Sequence, residues 1–135
     1  MELNLGRLNY TFTHKPLLVG GKAVEYYGLR QAGADVDFII HPDDHAALCQ
    51  LYPDHIKDLY GDIGVCEFEF EIWNRICTFG YDFLRPGAIE EADFLAISLE
   101  KLLFLKAMAM HIPKYHRDVE LIVERIKRDA YAAQR

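Results

Sequence analysis

Two aspartates interrupt an apolar run in the segment "GADVDFII", residues 33–40. The β-branched and aromatic residues around them predict a strand, so Asp35 and Asp37, two positions apart, should point to the same face. Adjacent carboxylates repel, and removing them from water is costly unless positive charge compensates. A pair of divalent ions would compensate, because Mg²⁺ takes carboxylate and phosphate oxygens as ligands. The alternative is an edge strand whose polar face lies in water.

A second acidic segment, "VCEFEFEIW" at residues 65–73, alternates between apolar and acidic residues. This alternation predicts one strand with Glu67, Glu69 and Glu71 on one face. One of these glutamates, placed beside Asp35 and Asp37, would complete a two-metal cluster. Alternation alone does not select among the three, and a solvent-facing strand explains at least one of them.

A glycine pair, Gly20 and Gly21, follows the apolar "PLLV" and precedes a predicted helix at residues 22–30. Glycines between a strand and a helix allow backbone N–H groups to approach a phosphate closely, and the helix offers its positive N-terminal end. Lys22 adds positive charge at the same place. The alternative is that the pair is only a turn.

The remaining patterns predict the element order β-α-β-α-β-β-α-α. Residues 42–52, 98–111 and 116–135 have helical periodicity, with Ser98 as a helix cap and Pro113 as a break, and residues 75–84 indicate a further strand or extended segment. We therefore predict a single α/β (α+β) domain, residues 1–135, in which helices flank a small mixed sheet and two helices end the chain. Lys106 lies in the apolar stripe of its helix, so we favour it over Lys101 as a functional lysine, although its ammonium group could simply reach water.

Composition limits the classes of function. The chain has 135 residues, 51% hydrophobic and 27% charged, with a formal net charge of −6, which argues against strong nucleic-acid binding. Cys49, Cys66 and Cys77 lack a C-x-x-C spacing, which is typical of reduced thiols in a cytoplasm. No signal peptide or membrane-length apolar stretch is visible. We expect a cytoplasmic protein that does not enter membranes.

Taken together, "LLVGGKAVEYYGLR", "DVDFII", "EFEIW" and "ISLEKLLFLKAMA" resemble the nucleotidyltransferase superfamily, most of all its small bacterial members, including toxin–antitoxin and abortive-infection types. The superfamily pattern is an apolar strand, Gly-Gly or Gly-Ser, a short helix, a strand with D-x-D, and a third acid on a later strand. Its order and spacing match residues 16–125, which is nearly the whole chain.

The resemblance implies a role for each matching residue. Gly20 and Gly21, with Lys22, would hold the triphosphate, and Lys106 matches a lysine that can face the phosphates. The ligands of two Mg²⁺ ions would be Asp35, Asp37 and a third carboxylate, either Glu71 in "FEIW" or Glu69 one repeat earlier, with Asp82 as a weaker candidate. Asp118, at the start of the last helix, would be a structural partner of a basic residue.

Two hypotheses of function follow from the resemblance. In the first, the protein is an enzyme that transfers a nucleoside monophosphate from an NTP to an acceptor hydroxyl by a two-metal mechanism. In the second, it is a catalytically inactive module that binds a protein partner or a second copy of itself, as one half of a two-component system. The segment "AGA" before Asp35 motivates the second hypothesis, because many relatives carry Ser or Thr there.

Overall fold

A seven-stranded mixed sheet organises the fold in the computed structural model, which describes residues 1–134. In chain order its strands are β1 Leu17–Val19, β2 Val36–Ile39, β3 Ile56–Leu59, β4 Asp62–Glu67, β5 Phe70–Trp73, β8 Ile89–Glu90 and β9 Leu95–Ala96. In the sheet they lie in the order β3-β4-β5-β2-β1-β9-β8. The pairs β1–β9 and β2–β5 are parallel, and the other neighbouring pairs are antiparallel.

Two further strands, β6 Arg75–Ile76 and β7 Phe79–Gly80, form a separate hairpin. The α-helices of residues 1–134 are α1 Gly20–Tyr26, α2 Pro42–Leu51, α3 Tyr81–Leu84, α4 Leu99–Met108 and α5 His116–Ala133. None of these helices has both the length and the apolar character needed to cross a membrane.

Helix starts follow the local chemistry that the sequence indicates. Ser98 caps α4, since its side-chain oxygen accepts a hydrogen bond from the Lys101 backbone N–H. Pro42 occupies the first turn of α2, where its missing N–H costs nothing. The predicted helices at 42–52, 98–111 and 116–135 are therefore confirmed to within a few residues, over the part of the last one that the structure describes.

The hydrophobic core lies on both faces of the central strands. All three residues of β1 are buried, and Phe38 and Ile72 from the neighbouring strands β2 and β5 are fully buried side by side. Strands buried on both faces need apolar residues at successive positions, which explains why "LLV" and "FII" do not alternate. The mixed α/β character and the two C-terminal helices agree with the sequence prediction.

The prediction of one strand at residues 65–73 is wrong. Residues 62–73 form a hairpin, in which β4 ends at Glu67, β5 begins at Phe70, and Phe68 has a left-handed φ of 54°. Glu67 lies opposite Phe70, and Cys66 lies opposite Glu71. Because directly opposed residues share a face, Glu67 and Glu71 point to different faces of the sheet.

The turn at Phe68 and Glu69 is stabilised by a distant contact. The Arg7 guanidinium lies 4.2 Å from the centroid of the Phe68 ring and forms an ion pair with Glu69. An aromatic residue seldom adopts a positive φ, and neither residue has the usual turn chemistry. The alternation of acidic and apolar residues therefore runs through the point where the chain reverses direction, and no local sequence signal marks that turn.

Residues 75–84, predicted as a further strand or extended segment, instead form a short hairpin and a helix. The chain turns at Cys77 and Thr78, both with positive φ, and then forms the short helix α3. The first helix also begins two residues earlier than predicted, at Gly20. Asp35 precedes β2 and is exposed, so only Asp37 of the pair lies within the strand.

Candidate functional site

Three neighbouring strands bring the candidate residues together at one end of the sheet. Val19, the last residue of β1, lies opposite Asp37 in β2, and Asp37 lies opposite Glu71 in β5. Opposed residues on neighbouring strands direct their side chains to the same face. The register therefore places the carboxyl groups of Asp37 and Glu71 side by side, immediately beside the start of α1 at Gly20.

The position of Gly20 requires a glycine for two reasons, its backbone conformation and the close approach of Asp37. Its φ is +67°, a conformation that favours glycine, and a Cβ atom there would overlap Oδ2 of Asp37. Gly21 is different, because a Cβ atom would lie 3.5 Å from Nη2 of Arg30 and 3.6 Å from Cβ of Ala32, which are ordinary contacts. Gly20 lines the cleft described below, whereas Gly21 faces Arg30 and Ala32.

Asp37 lies beside Glu71 in surroundings that disfavour its negative charge. Burial raises the pKa of Asp37 to about 7, and the hydrogen bond and negative charge of Glu71 add to this effect. The charge of Asp35 raises the pKa of Asp37 further, and that of Lys106 lowers it. Added positive charge at this place would therefore favour the ionised form of Asp37.

Asp35 contributes negative charge from the solvent side. It is exposed at the entry to β2, yet it is close enough to Asp37 and Cys66 to influence their pKa values. Across residues 1–134, no three or more His, Cys, Asp or Glu side chains are grouped so that they could hold a metal ion. The preformed part of the acidic site is thus the pair Asp37 and Glu71.

The other candidate acids lie elsewhere. Glu69 forms an ion pair with Arg7 at 2.7 Å in the hairpin turn, and Oε2 of Glu67 lies 3.1 Å from Nε2 of His55. Asp82 is exposed in the first turn of α3 and lines a different cleft. Among the acids that the sequence left open, geometry brings only Glu71 into contact with Asp37.

A cleft of about 280 Å³ opens beside the carboxyl pair. Its floor includes Gly20, Asp37 and Glu71, and Arg75 and Tyr115 line it further out. Arg75 Nε donates to Asp62 at 3.1 Å, which fixes the β6 strand along the cleft wall. Most of the remaining wall is apolar: Leu59, Trp73, Ile76, Leu102, Leu105 and Ala109.

Lys106 reaches the cleft from α4, and its side chain is only 7% exposed. Its Nζ lies 3.0 Å from Oδ2 of Asp118 and 4.5 Å from the centroid of the Tyr115 ring. Asp118 also accepts hydrogen bonds from Nε and Nη2 of Arg30, at 2.5 and 2.8 Å. The expectation that Asp118 partners a basic residue is confirmed, and it partners two.

Lys22 does not join this group. It extends from α1 with its Nζ 3.6 Å from Oε2 of Glu25, and it does not line the cleft. The wall residues Leu59, Arg75 and Tyr115 were not identified from the sequence. They are reached through two hairpins and a 3₁₀ turn at Pro113–Tyr115, and no local motif marks them as neighbours of the carboxyl pair.

Comparison of the chain with protein-family models, curated proteins and solved structures gives no match. Function is therefore inferred from the chemistry of the cleft itself. That chemistry fits a divalent cation, because two contacting carboxyl groups supply oxygen ligands and repel each other until positive charge is added.

Proposed function

We propose that this protein is a Mg²⁺-dependent nucleotidyltransferase, which transfers a nucleoside monophosphate from an NTP to an acceptor hydroxyl. The observation that supports this proposal best is the contact between Asp37 and Glu71 beside the Gly20 turn, inside a cleft. Strand, glycine turn, helix, acidic strand and later acidic strand follow in the order of the superfamily pattern. The nucleotidyltransferase-like form of the mixed sheet belongs to the same proposal.

Asp37 and Glu71 would hold the metal, with Asp35 joining them from the solvent edge. Bound Mg²⁺, with two ions expected, would neutralise the triphosphate and lower the pKa of the acceptor hydroxyl for in-line attack on the α-phosphate. Asp37 releases its proton on binding, which makes the affinity for metal rise between about pH 6 and pH 8.

The rest of the cleft serves the nucleotide. The missing side chain at Gly20 leaves room for the Asp37 carboxyl group, and Gly20 itself lines the cleft, where its backbone can meet a phosphate. Lys106 supplies a positive charge for phosphate oxygens, and the apolar wall packs against the uncharged part of the substrate. Each of these groups binds or orients substrate, and none forms a covalent intermediate.

Isothermal titration of the full chain with ATP, GTP, CTP and UTP, with and without Mg²⁺, tests the proposal. We expect binding of at least one NTP that requires Mg²⁺, and release of pyrophosphate when a hydroxyl acceptor is supplied. A folded protein that binds no NTP in the presence of Mg²⁺ would contradict the proposal. The interaction-module hypothesis would then replace it, with purification of a protein partner as its own test.

A further inference from the structure

The buried ion cluster of Arg30, Asp118 and Lys106 has a feature that simple bracing of the fold does not explain. The Asp118 side chain is 3% exposed and that of Lys106 is 7% exposed. Burial alone would raise the pKa of Asp118, but hydrogen bonds from Arg30 and Lys106 hold it below its usual value. The cluster has one negative and two positive charges, and of its three residues Lys106 lines the cleft.

Lys106 is paired with Asp118 and not with the acids that line the cleft. It lines the same cleft as Asp37 and Glu71, and its charge lowers the pKa of Asp37. Within residues 1–134, however, its only ion pair with an N···O distance of 4.0 Å or less is the one with Asp118. Two contacting carboxyl groups would otherwise be strong partners for a buried ammonium group.

Asp118 is fixed in place by its other contacts. Arg30 holds it through two hydrogen bonds, a bidentate geometry that orients a carboxylate well. It lies in the first turn of α5, where a negative charge is favoured. The Tyr115 ring on the other side of the Lys106 ammonium group limits where that group can move.

We propose that Asp118 is a positioning residue that holds Lys106 on the cleft wall facing the carboxyl pair, so that Lys106 can contact phosphate without neutralising the metal-binding carboxylates. This inference rests on the proposed function for its substrate, a metal-bound polyphosphate. It adds a role for a residue that does not itself line the cleft. In its absence, Lys106 would pair with Asp37 and Glu71 and compete with the cation.

The test measures Mn²⁺ affinity by electron paramagnetic resonance in the full chain, followed by pyrophosphate affinity in the presence of Mn²⁺. We expect Asp118→Asn to weaken Mn²⁺ binding roughly 10–100-fold, because the cation must then displace a charged hydrogen bond between Lys106 and Asp37 or Glu71. Adding Lys106→Met to that variant should restore Mn²⁺ binding, while pyrophosphate binding stays weak. A double variant that stays as weak for Mn²⁺ as Asp118→Asn, or that recovers Mn²⁺ and pyrophosphate affinity together, would overturn the proposal, because a purely structural brace moves the two affinities in parallel.

Asp129→Asn is the matched control. It makes the same substitution on the same helix and removes an exposed ion pair with Arg125 that lies outside the cleft. We expect wild-type Mn²⁺ and pyrophosphate affinity. If Asp118→Asn does not fold, the same substitution is made in the Lys106→Met background. Lys106→Met should keep Mn²⁺ affinity and lose pyrophosphate affinity, and adding Asp118→Asn should then leave Mn²⁺ affinity unchanged, because no ammonium group remains to move. A further loss of Mn²⁺ affinity on adding Asp118→Asn would overturn the proposal.

A metal-free measurement separates this inference from the proposed function. NMR correlations through hydrogen bonds should link Lys106 Nζ to the Asp118 carboxyl carbon in the wild type, and to that of Asp37 or Glu71 in Asp118→Asn. An ammonium group that joins neither acid in the variant would refute the positioning role. A wild type that binds no Mn²⁺ would refute the proposed function, and the NMR result would still decide the placement of Lys106.

Discussion

Asp37 is half-buried in a strand and lies beside a second carboxyl group, and the fold accommodates both features. Its pKa of about 7 shows that the folded protein disfavours its charge, with burial as the first cause. Such an arrangement reduces stability unless a cation is bound, and strongly perturbed groups in clefts are typical of functional sites. We infer that Asp37 is retained for binding.

The substitution Asp37→Asn should abolish Mg²⁺-dependent nucleotide binding and raise the melting temperature by a few degrees. An amide N–H can donate to Glu71 and removes one of the two repelling groups, while the volume hardly changes. Calorimetric melting and titration check the two effects. A melting temperature many degrees below that of the wild type would show that Asp37 is structural.

The two glycines should respond differently to the same change. Gly20→Ala places a methyl group against Oδ2 of Asp37 at a positive φ, so we expect a loss of stability and of nucleotide binding. Gly21→Ala meets only ordinary contacts inside α1, so stability should stay the same or rise by about 0.5–1 kcal/mol. Urea unfolding of both variants checks this. Equal effects would contradict the assignment of the close approach to Gly20.

At the scale of elements, the sequence indicated the three longest helices, α2, α4 and α5, but missed α3 and two hairpins. The caps and breaks at Pro42, Ser98 and Pro113 are local signals, so α2, α4 and the start of α5 could be predicted. The reversals at Phe68 and Thr78 carry no such signal. The contact between Asp37 and Glu71 depends on the pairing of β2 with β5, two strands far apart in the sequence. The order of motifs suggested that an acid from the later strand would lie beside Asp37, but alternation could not select Glu71 from the three glutamates.

The hairpin between β6 and β7 gives a prediction about strain. Thr78 has a φ of 71°, which is unfavourable for a β-branched residue. Thr78→Gly should therefore stabilise the protein by about 1 kcal/mol. Thr11→Gly is the control, because Thr11 is also exposed but does not have a positive φ, and it should give no gain. Equal free energies of unfolding for the two variants would argue against strain in this turn.

For the whole molecule, the pKa of Asp37 predicts how stability depends on pH. The folded state keeps the Asp37 proton up to about pH 7, whereas the unfolded chain loses it near pH 4. Since the folded state binds more protons between these values, this group makes the free energy of unfolding fall as pH rises from about 4 to about 7. In Asp37→Asn this contribution is absent, so the variant should gain stability over the wild type as pH rises. Urea unfolding of both proteins at pH 5 and pH 8 tests this prediction. If the two proteins differed in free energy of unfolding by the same amount at both pH values, the raised pKa of Asp37 would be contradicted.

The central claim is that Glu71 joins Asp37 in binding a metal–nucleotide complex, and the three glutamates test it most directly. Glu71→Gln, Glu67→Gln and Glu69→Gln make the same change at three positions of one hairpin. Only Glu71 contacts Asp37, while Glu67 and Glu69 pair with His55 and Arg7. Calorimetric titration with Mg²⁺ and the NTP that binds best should show severe loss in Glu71→Gln and near wild-type affinity in the other two. Three equal, mild losses would indicate a diffuse acidic surface and contradict the two-metal account.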